Sequence, residues 1–334
     1  MLDTVFPHKS ISLGLSFFHI TVDDWKEIIS KYACYIHDLY FSPYDLENYQ
    51  SRRNVYDFHN TTIEERREQL TCVIEHAKKN NIKLKLVLNS NFYRNVPDEI
   101  LKTYAHYRIN YGINFVTTFV DGAKSIRKTY PDSKIICSYN QGILCLDDLK
   151  ELLKLNLFDA FVLGQRYIRE FDTFRLIHSY DKQVELLVNN GCMHTCVSYC
   201  SIPGYCWPNF DKSYKTLGYH ALYAESSLFP EELALFYFDS GLIDLYKLSC
   251  RPIQRNELLD LLASYVTIDS KSFINKGSYN YHLYARLTHF SPFYAKMCYA
   301  DILNFKRTIW ERKGGNVLSK LKETKLFDQY CQTC

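Results

Sequence analysis

The chain has 334 residues, and its 40 basic and 37 acidic side chains give a formal net charge of +3. This near balance produces no strong long-range field, so the charge does not indicate a nucleic-acid-binding surface, although a transfer RNA substrate stays open. Hydrophobic residues make up 47% of the chain and charged residues 23%, which is typical of a globular protein with a substantial core.

Neither a membrane-spanning segment nor a secretory signal is predicted. No stretch approaches the roughly 20 consecutive apolar residues that a transmembrane helix needs. Residues 1–4 contain no basic segment leading into an apolar run. We therefore expect a cytoplasmic protein with no membrane partner, in which the 12 cysteines are reduced thiols or metal ligands rather than disulfides.

Short β-branched or aliphatic runs alternate with helical patterns, which predicts βα units and a parallel sheet. Eight strands are expected, at residues 11–18, 35–42, 83–89, 114–119, 134–139, 160–164, 183–189 and 242–248. Helices are expected between them, at residues 23–32, 63–80, 121–129, 146–155, 173–179 and 230–240, with a closing helix at 257–266.

Eight such units close into a barrel more readily than they form an open doubly wound sheet, and no Gly-rich phosphate turn follows the first strand. The predicted fold is therefore α/β, a TIM-type (β/α)8 barrel over residues 1–268. Residues 269–334 are predicted to be a C-terminal extension that carries a CxxC pair, contains a helix near 299–312 and folds back on the barrel rim.

Catalytic side chains of such barrels lie where the strands end and the following loops begin. The predicted strand ends supply neutral groups that would orient a substrate, namely Asn89, Asn140 and Asn189. They also supply three cations that would bind an anionic group as candidate catalytic residues, namely Arg166, Lys247 and Arg251. For each asparagine, an ordinary turn residue is an equally good interpretation.

Cysteines cluster in a 15-residue window after the seventh predicted strand. The four in that window are Cys192, Cys196, Cys200 and Cys206. The chain ends in a CxxC pair, Cys331 and Cys334, a spacing that can bring two thiolates onto one metal centre. Thiolates are soft ligands that suit either zinc or a 4Fe-4S cluster, so the spacing leaves both open.

The alternative is that these cysteines are small buried side chains. That interpretation is favoured for the six cysteines outside the two clusters, which are Cys34, Cys72, Cys137, Cys145, Cys250 and Cys298. The clustered cysteines also differ from the CxxxCxxC loop of radical S-adenosylmethionine enzymes, because the interval from Cys196 to Cys200 is one residue too long. That cofactor is therefore not assigned.

Residues 185–192, which read Glu-Leu-Leu-Val-Asn-Asn-Gly-Cys, are followed by Cys196. This segment resembles the strand-then-cysteine motif of the collagenase-like peptidase superfamily, which includes UbiU- and UbiV-like ubiquinone-hydroxylation proteins and transfer-RNA-hydroxylation proteins. Residues 158–164 resemble the strand before this motif, and residues 229–251 resemble the later helix and the final strand with its Lys and Arg. The resemblance covers roughly residues 80–266.

The resemblance implies a barrel that holds an oxygen-sensitive 4Fe-4S cluster. It casts four cysteines as the ligands: Cys192, Cys196, Cys331 and Cys334. The sequence departs from the family after the second cysteine, where Val-Ser-Tyr-Cys stands in place of Pro followed by Arg or His. Cys200 or Cys206 could therefore replace a tail cysteine.

Three functions follow from these patterns. The leading hypothesis is an iron-sulfur enzyme that performs redox modification, such as oxygen-independent hydroxylation, of a small molecule, a peptide or a transfer RNA. The second is a peptidase-type hydrolase with a structural metal, although no nucleophile, base and orienting residue can be picked out. The third is a non-catalytic barrel that pairs with a second barrel protein, since the fold alone does not determine function.

Overall fold

A computed structural model of the chain describes residues 6–17, 20–46, 61–89, 93, 96–143, 145–164, 167–189, 228, 230–248 and 255–268. Eight parallel strands close into a barrel in chain order, with the first strand paired to the last. The strands are β1 (Ile11–Gly14), β2 (Ile36–Phe41), β3 (Lys83–Val87), β4 (Phe115–Thr118), β5 (Lys134–Cys137), β6 (Ala160–Leu163), β7 (Gln183–Leu187) and β8 (Leu245–Leu248). The predicted TIM-type barrel is confirmed.

Eight α-helices accompany the strands in the described part of the chain. They are α1 (Val22–Tyr32), α2 (Ile63–Lys79), α3 (Pro97–Tyr111), α4 (Val120–Thr129), α5 (Leu146–Lys154), α6 (Phe171–His178), α7 (Pro230–Phe236) and α8 (Arg255–Thr267). The sequence predicted all of them except α3. None is long and apolar enough to cross a lipid bilayer. The predicted helix near residues 299–312 and the whole extension from residue 269 lie outside the described residues.

Two threonines fix where the first two helices begin. At α2, the Thr62 hydroxyl accepts a hydrogen bond from the Glu65 amide at 3.1 Å, and the Glu65 carboxylate accepts one from the Thr62 amide at 2.7 Å. Thr21 and Asp24 make the same reciprocal pair at α1. Each pair satisfies amide groups that a helix start leaves without partners inside the helix.

The apolar side chains form two groups on opposite faces of the strands. The larger group packs strand residues such as Val116, Ile135 and Phe161 against the helices. Because successive strand residues point to opposite faces, the smaller group points toward the barrel axis. It contains Ile136, Ala160, Val162 and Leu187, with Phe115 and Tyr139 packed against them. The apolar part of the interior therefore runs along β5 and β6 and includes Leu187 of β7 and Phe115 of β4.

The cysteines outside the two clusters only partly match their prediction. Cys137 on β5 is fully buried, and burial raises the pKa of its thiol. The burial predicted for Cys34, Cys72 and Cys145 is wrong, because all three are exposed. They lie in the turn after α1, on α2 and at the start of α5. Cys250 and Cys298 lie outside the described residues.

Candidate functional site

Four charged side chains meet inside the barrel, beside the apolar group. They are Asp38 on β2, Lys85 on β3, Glu185 on β7 and Lys247 on β8, and each is at most 7% exposed. Their neighbours in sequence, such as Leu84 and Leu186, belong to the core on the outer face of the strands. The alternation of the strands therefore turns these four charges toward the barrel axis.

Lys85 is the centre of this charged cluster. Its Nζ lies 3.1 Å from Asp38 Oδ2 and 2.5 Å from Glu185 Oε1, and it donates a 3.3 Å hydrogen bond to Ser12 Oγ. The Ser12 hydroxyl in turn donates to Asp38 Oδ1 at 2.6 Å. Burial disfavours the charged amine, but attraction to the two carboxylates outweighs burial and raises the pKa of Lys85.

The cluster is linked to the amino-terminal face of the barrel through His37. His37 Nδ1 lies 2.9 Å from Asp38 Oδ2, and Lys83 Nζ lies 3.0 Å from His37 Nε2. Burial disfavours the ionised Asp38 carboxyl, yet Lys85 and then His37 outweigh burial and hold the pKa of Asp38 well below its usual range. A chain of bonded polar groups thus runs from exposed Lys83 to buried Lys85.

Lys247 is held more loosely than Lys85. Its Nζ lies 3.5 Å from Glu185 Oε2 and 4.0 Å from the centre of the Tyr40 ring. Among the described residues, neither Lys247 Nζ nor Glu185 Oε2 has a hydrogen-bond partner. Burial lowers the pKa of Lys247 to about 8; Glu185 opposes this change and the Lys85 ammonium reinforces it.

Tyr40 lies over Lys247 because Gly14 leaves room for its ring. The Tyr40 hydroxyl crosses β1 and donates a 2.8 Å hydrogen bond to the Leu248 carbonyl on β8. A Cβ atom at position 14 would stand only 2.9 Å from both Cζ and the hydroxyl oxygen of Tyr40. The absence of a side chain at Gly14 therefore allows the Tyr40 ring to cover Lys247.

We expect Gly14→Ala to lower the free energy of unfolding by about 1–3 kcal/mol, because the new methyl group overpacks the Tyr40 ring. Urea unfolding measures this loss. In a Tyr40→Leu background the same change should cost less than half as much, since the ring atoms it meets are gone. Equal costs in the two backgrounds would show that the methyl group meets something other than Tyr40.

The three predicted asparagines all lie just beyond strand ends. Asn89 donates to Ser138 Oγ at 2.9 Å, and Asn140 Nδ2 donates to the Asn89 carbonyl at 3.3 Å, which joins the ends of β3 and β5. Asn189 follows β7 and is 9% exposed. Two of the three are therefore brought together, and part of their hydrogen-bonding capacity is used in holding the rim.

The remaining predicted site residues lie outside the described part of the chain. They are Arg166, Arg251, Cys192, Cys196, Cys200, Cys206, Cys331 and Cys334. Within the described part, no three His, Cys, Asp or Glu side chains converge on a metal site. The sequence prediction included Lys247 but missed Asp38, Lys85 and Glu185, although a charged residue in the middle of each short apolar strand was a visible signal.

These features define a closed (β/α)8 barrel with paired charges buried in its interior, at the third residue of β2, β3, β7 and β8. No family model and no curated protein matches the sequence. Similar solved structures include an endo-1,4-β-mannanase from Rhizomucor miehei, at 10% identity and a TM-score of 0.43, over 82% of this chain and 97% of that one.

Two further structures extend this comparison. The U32 peptidase Mk0906 has 9% identity and a TM-score of 0.43, over 72% of this chain and 93% of its own. The endo-1,4-β-D-mannanase from Thermotoga petrophila RKU-1 has 13% identity and a TM-score of 0.40, over 72% of this chain and 87% of its own. Likeness at this level carries no conclusion about activity, and the barrel assignment rests on the strand pairing.

Proposed function

We propose that this protein is an enzyme that performs redox modification of a small polar molecule or a peptide at the carboxyl-terminal mouth of the barrel, with a 4Fe-4S cluster. One observation carries the proposal: β7 brings Glu185 into the charged cluster and then leads into the cysteine-rich segment. Cys192 is five residues beyond Leu187 in sequence, so chain connectivity keeps the two within about 18 Å. The proposal therefore has Cys192, as a thiol ligand, near the buried charges.

The donor set suits such a cluster, because thiolates are its usual ligands in proteins. Cys192, Cys196, Cys331 and Cys334 would hold it, with Cys200 or Cys206 as alternates for a tail cysteine. A bound cluster would supply electrons to the mouth of the barrel. Zinc is the alternative occupant of four thiolates, and it would supply no electrons.

The chain's own side chains would bind the substrate and move its protons. Lys247 and Glu185 form a proton donor and acceptor pair, with Lys247 Nζ 3.5 Å from Glu185 Oε2. Because the pKa of Lys247 is lowered to about 8, its ammonium can release a proton near neutral pH. Asn89, Asn140 and Asn189 would orient polar groups of the substrate at the rim.

Anaerobic purification followed by iron, sulfide and zinc analysis tests the proposal. Wild type is expected to carry about four irons per chain, with a broad visible absorption band. Cys192→Ser should lose most of the iron and the band, because one of four ligands is gone. Cys72→Ser is the matched control, since Cys72 is an exposed cysteine on α2, and it should keep both.

Two results would overturn the cluster. Stoichiometric zinc without sulfide would leave a structural metal and remove the redox chemistry. A colourless protein without metal, purified and reconstituted without oxygen, would also remove it. Equal iron loss in Cys192→Ser and Cys72→Ser would show that neither effect reports a ligand.

A further inference from the structure

We propose that Lys247 is a nucleophilic amine that binds a carbonyl compound, an aldehyde or a ketone, as a covalent imine inside the mouth of the barrel. This inference goes beyond the proposed redox function, because it requires neither the cluster nor any cysteine. The reaction would use only residues in the barrel interior.

The two interior lysines differ in the contacts that they make. Lys85 makes close contacts with both carboxylates of the cluster, at 3.1 Å to Asp38 and 2.5 Å to Glu185. Lys247 is left with a 3.5 Å approach to Glu185 and the face of the Tyr40 ring. Since Lys85 takes the strong ionic contacts, the Lys247 nitrogen is the one available for reaction.

Three buried polar atoms in the interior lack a hydrogen bond among the described residues. Thr117 Oγ1 has none, and Lys247 Nζ and Glu185 Oε2 have only the 3.5 Å ion pair that they make with each other. Thr117 lies on β4 two residues after Phe115, so it shares the face that points to the barrel axis. Buried polar groups are normally satisfied, which indicates that this interior receives a polar ligand.

The surroundings of Lys247 also favour the neutral form of its amine. A lysine must lose its proton to attack a carbonyl carbon, and desolvation beside another cation is how proteins promote that loss. Burial and Lys85 act on Lys247 in this way, and its pKa falls to about 8 despite the opposing effect of Glu185. At pH 7 about one Lys247 in ten is then neutral, compared with about three in ten thousand for an ordinary lysine.

The reaction balances with groups already present. Glu185 accepts one proton from the Lys247 ammonium, and the free nitrogen attacks the carbonyl carbon to give a carbinolamine. The carbinolamine nitrogen loses a second proton, and the former carbonyl oxygen leaves as water with protons returned through Glu185. The product is an iminium ion that keeps the third ammonium proton, so the ammonium and the carbonyl compound yield the iminium ion and one water.

Reductive trapping tests the inference on the full chain. Wild type is incubated with glycolaldehyde or with pyruvate and sodium cyanoborohydride, and the modified lysine is located by mass spectrometry of the digested protein. We expect one dominant adduct at Lys247, formed at least tenfold faster at pH 7 than any adduct at an exposed lysine. Its rate should rise from pH 6 to pH 9 with a midpoint near 8, set by Lys247 among its titratable neighbours Asp38, Lys85, Glu185 and Tyr40.

Variants and a denatured control make the result decisive. Lys247→Met should lose the dominant adduct, and Lys134→Met, which removes an exposed lysine at the start of β5, should keep it. Labelling spread over exposed lysines, with Lys247 modified only in urea, would overturn the inference. Iron measured on the same samples separates the two proposals: an adduct without iron contradicts only the cluster, and iron without an adduct contradicts only the imine.

Discussion

Lys85→Met is expected to lower the free energy of unfolding by about 3–5 kcal/mol at neutral pH, the usual cost of removing one partner from a buried ion pair. Methionine fills a similar volume but supplies no charge. Asp38 and Glu185 would stay buried with only one basic partner each, His37 at 2.9 Å from Asp38 and Lys247 at 3.5 Å from Glu185. Urea unfolding, followed by circular dichroism, measures the loss.

The control for this prediction is Lys134→Met. Lys134 is an exposed lysine at the start of β5, a strand that carries none of the four clustered charges. It should change stability by no more than about 0.5 kcal/mol. Adding Glu185→Gln to Lys85→Met should recover part of the loss, since one of the two stranded charges is removed. A loss below about 1 kcal/mol in the single variant would contradict the central role assigned to Lys85.

Acid pH provides a second readout of the same contact. The folded-state pKa of Asp38 is lowered, chiefly by Lys85 acting against burial. The stability that ionised Asp38 contributes is therefore present above the ordinary carboxyl pKa of about 3.9 and is lost as pH falls toward the folded value. In Lys85→Met this acid-side loss should be smaller than in wild type.

Lys247→Met is expected to be more stable than wild type at pH 7, and to lose this advantage as the pH rises from 8 to about 10.5. The folded chain releases the Lys247 proton near pH 8, whereas the unfolded chain keeps it until about 10.5. Between these values the unfolded state binds more protons, so the free energy of unfolding of wild type rises with pH relative to that of the variant. At about 1.4 kcal/mol per pH unit, this difference changes by about 3 kcal/mol over the whole range.

Urea unfolding of both proteins at several pH values from 7 to 10 measures this difference. Other groups that titrate in this range, including the buried tyrosines, are common to both chains and cancel when the two curves are subtracted. Lys134→Met should give a flat difference over the same range. A flat difference for Lys247→Met would show that the buried amine titrates as an ordinary lysine.

The barrel could be predicted because each strand is a short apolar run between turn residues, and eight such runs have few ways to pack. Helix α3 was missed because its buried face is made mainly of tyrosines, with Ile100 as its one buried aliphatic residue. Tyr107 and Tyr111 are buried there with their hydroxyls on the Asp45 carboxylate. A contact with a side chain more than 60 residues away leaves no local pattern in the sequence.

The candidate site could be predicted only where it coincides with a strand end. Lys247 was found in this way, although as a cation for an anionic group rather than as one member of a buried cluster. Asp38, Lys85 and Glu185 lie within strands, where the sequence shows that a charge is present but not which charge it meets. Their pairing depends on closure of the sheet, which sets the distances across the barrel.

The contact between Lys85 and Glu185 joins positions 100 residues apart, from β3 and β7. A chain emerging from the ribosome has made Asp38 and Lys85 long before Glu185 and Lys247 are synthesised. A nascent chain that lacks β7 and β8 would hold Asp38 and Lys85 without Glu185 and Lys247. We therefore expect the first strands to stay in contact with water until β7 and β8 have been translated. If the chain is divided between β6 and β7, we accordingly expect the two fragments to fold when they are mixed, and neither to fold alone.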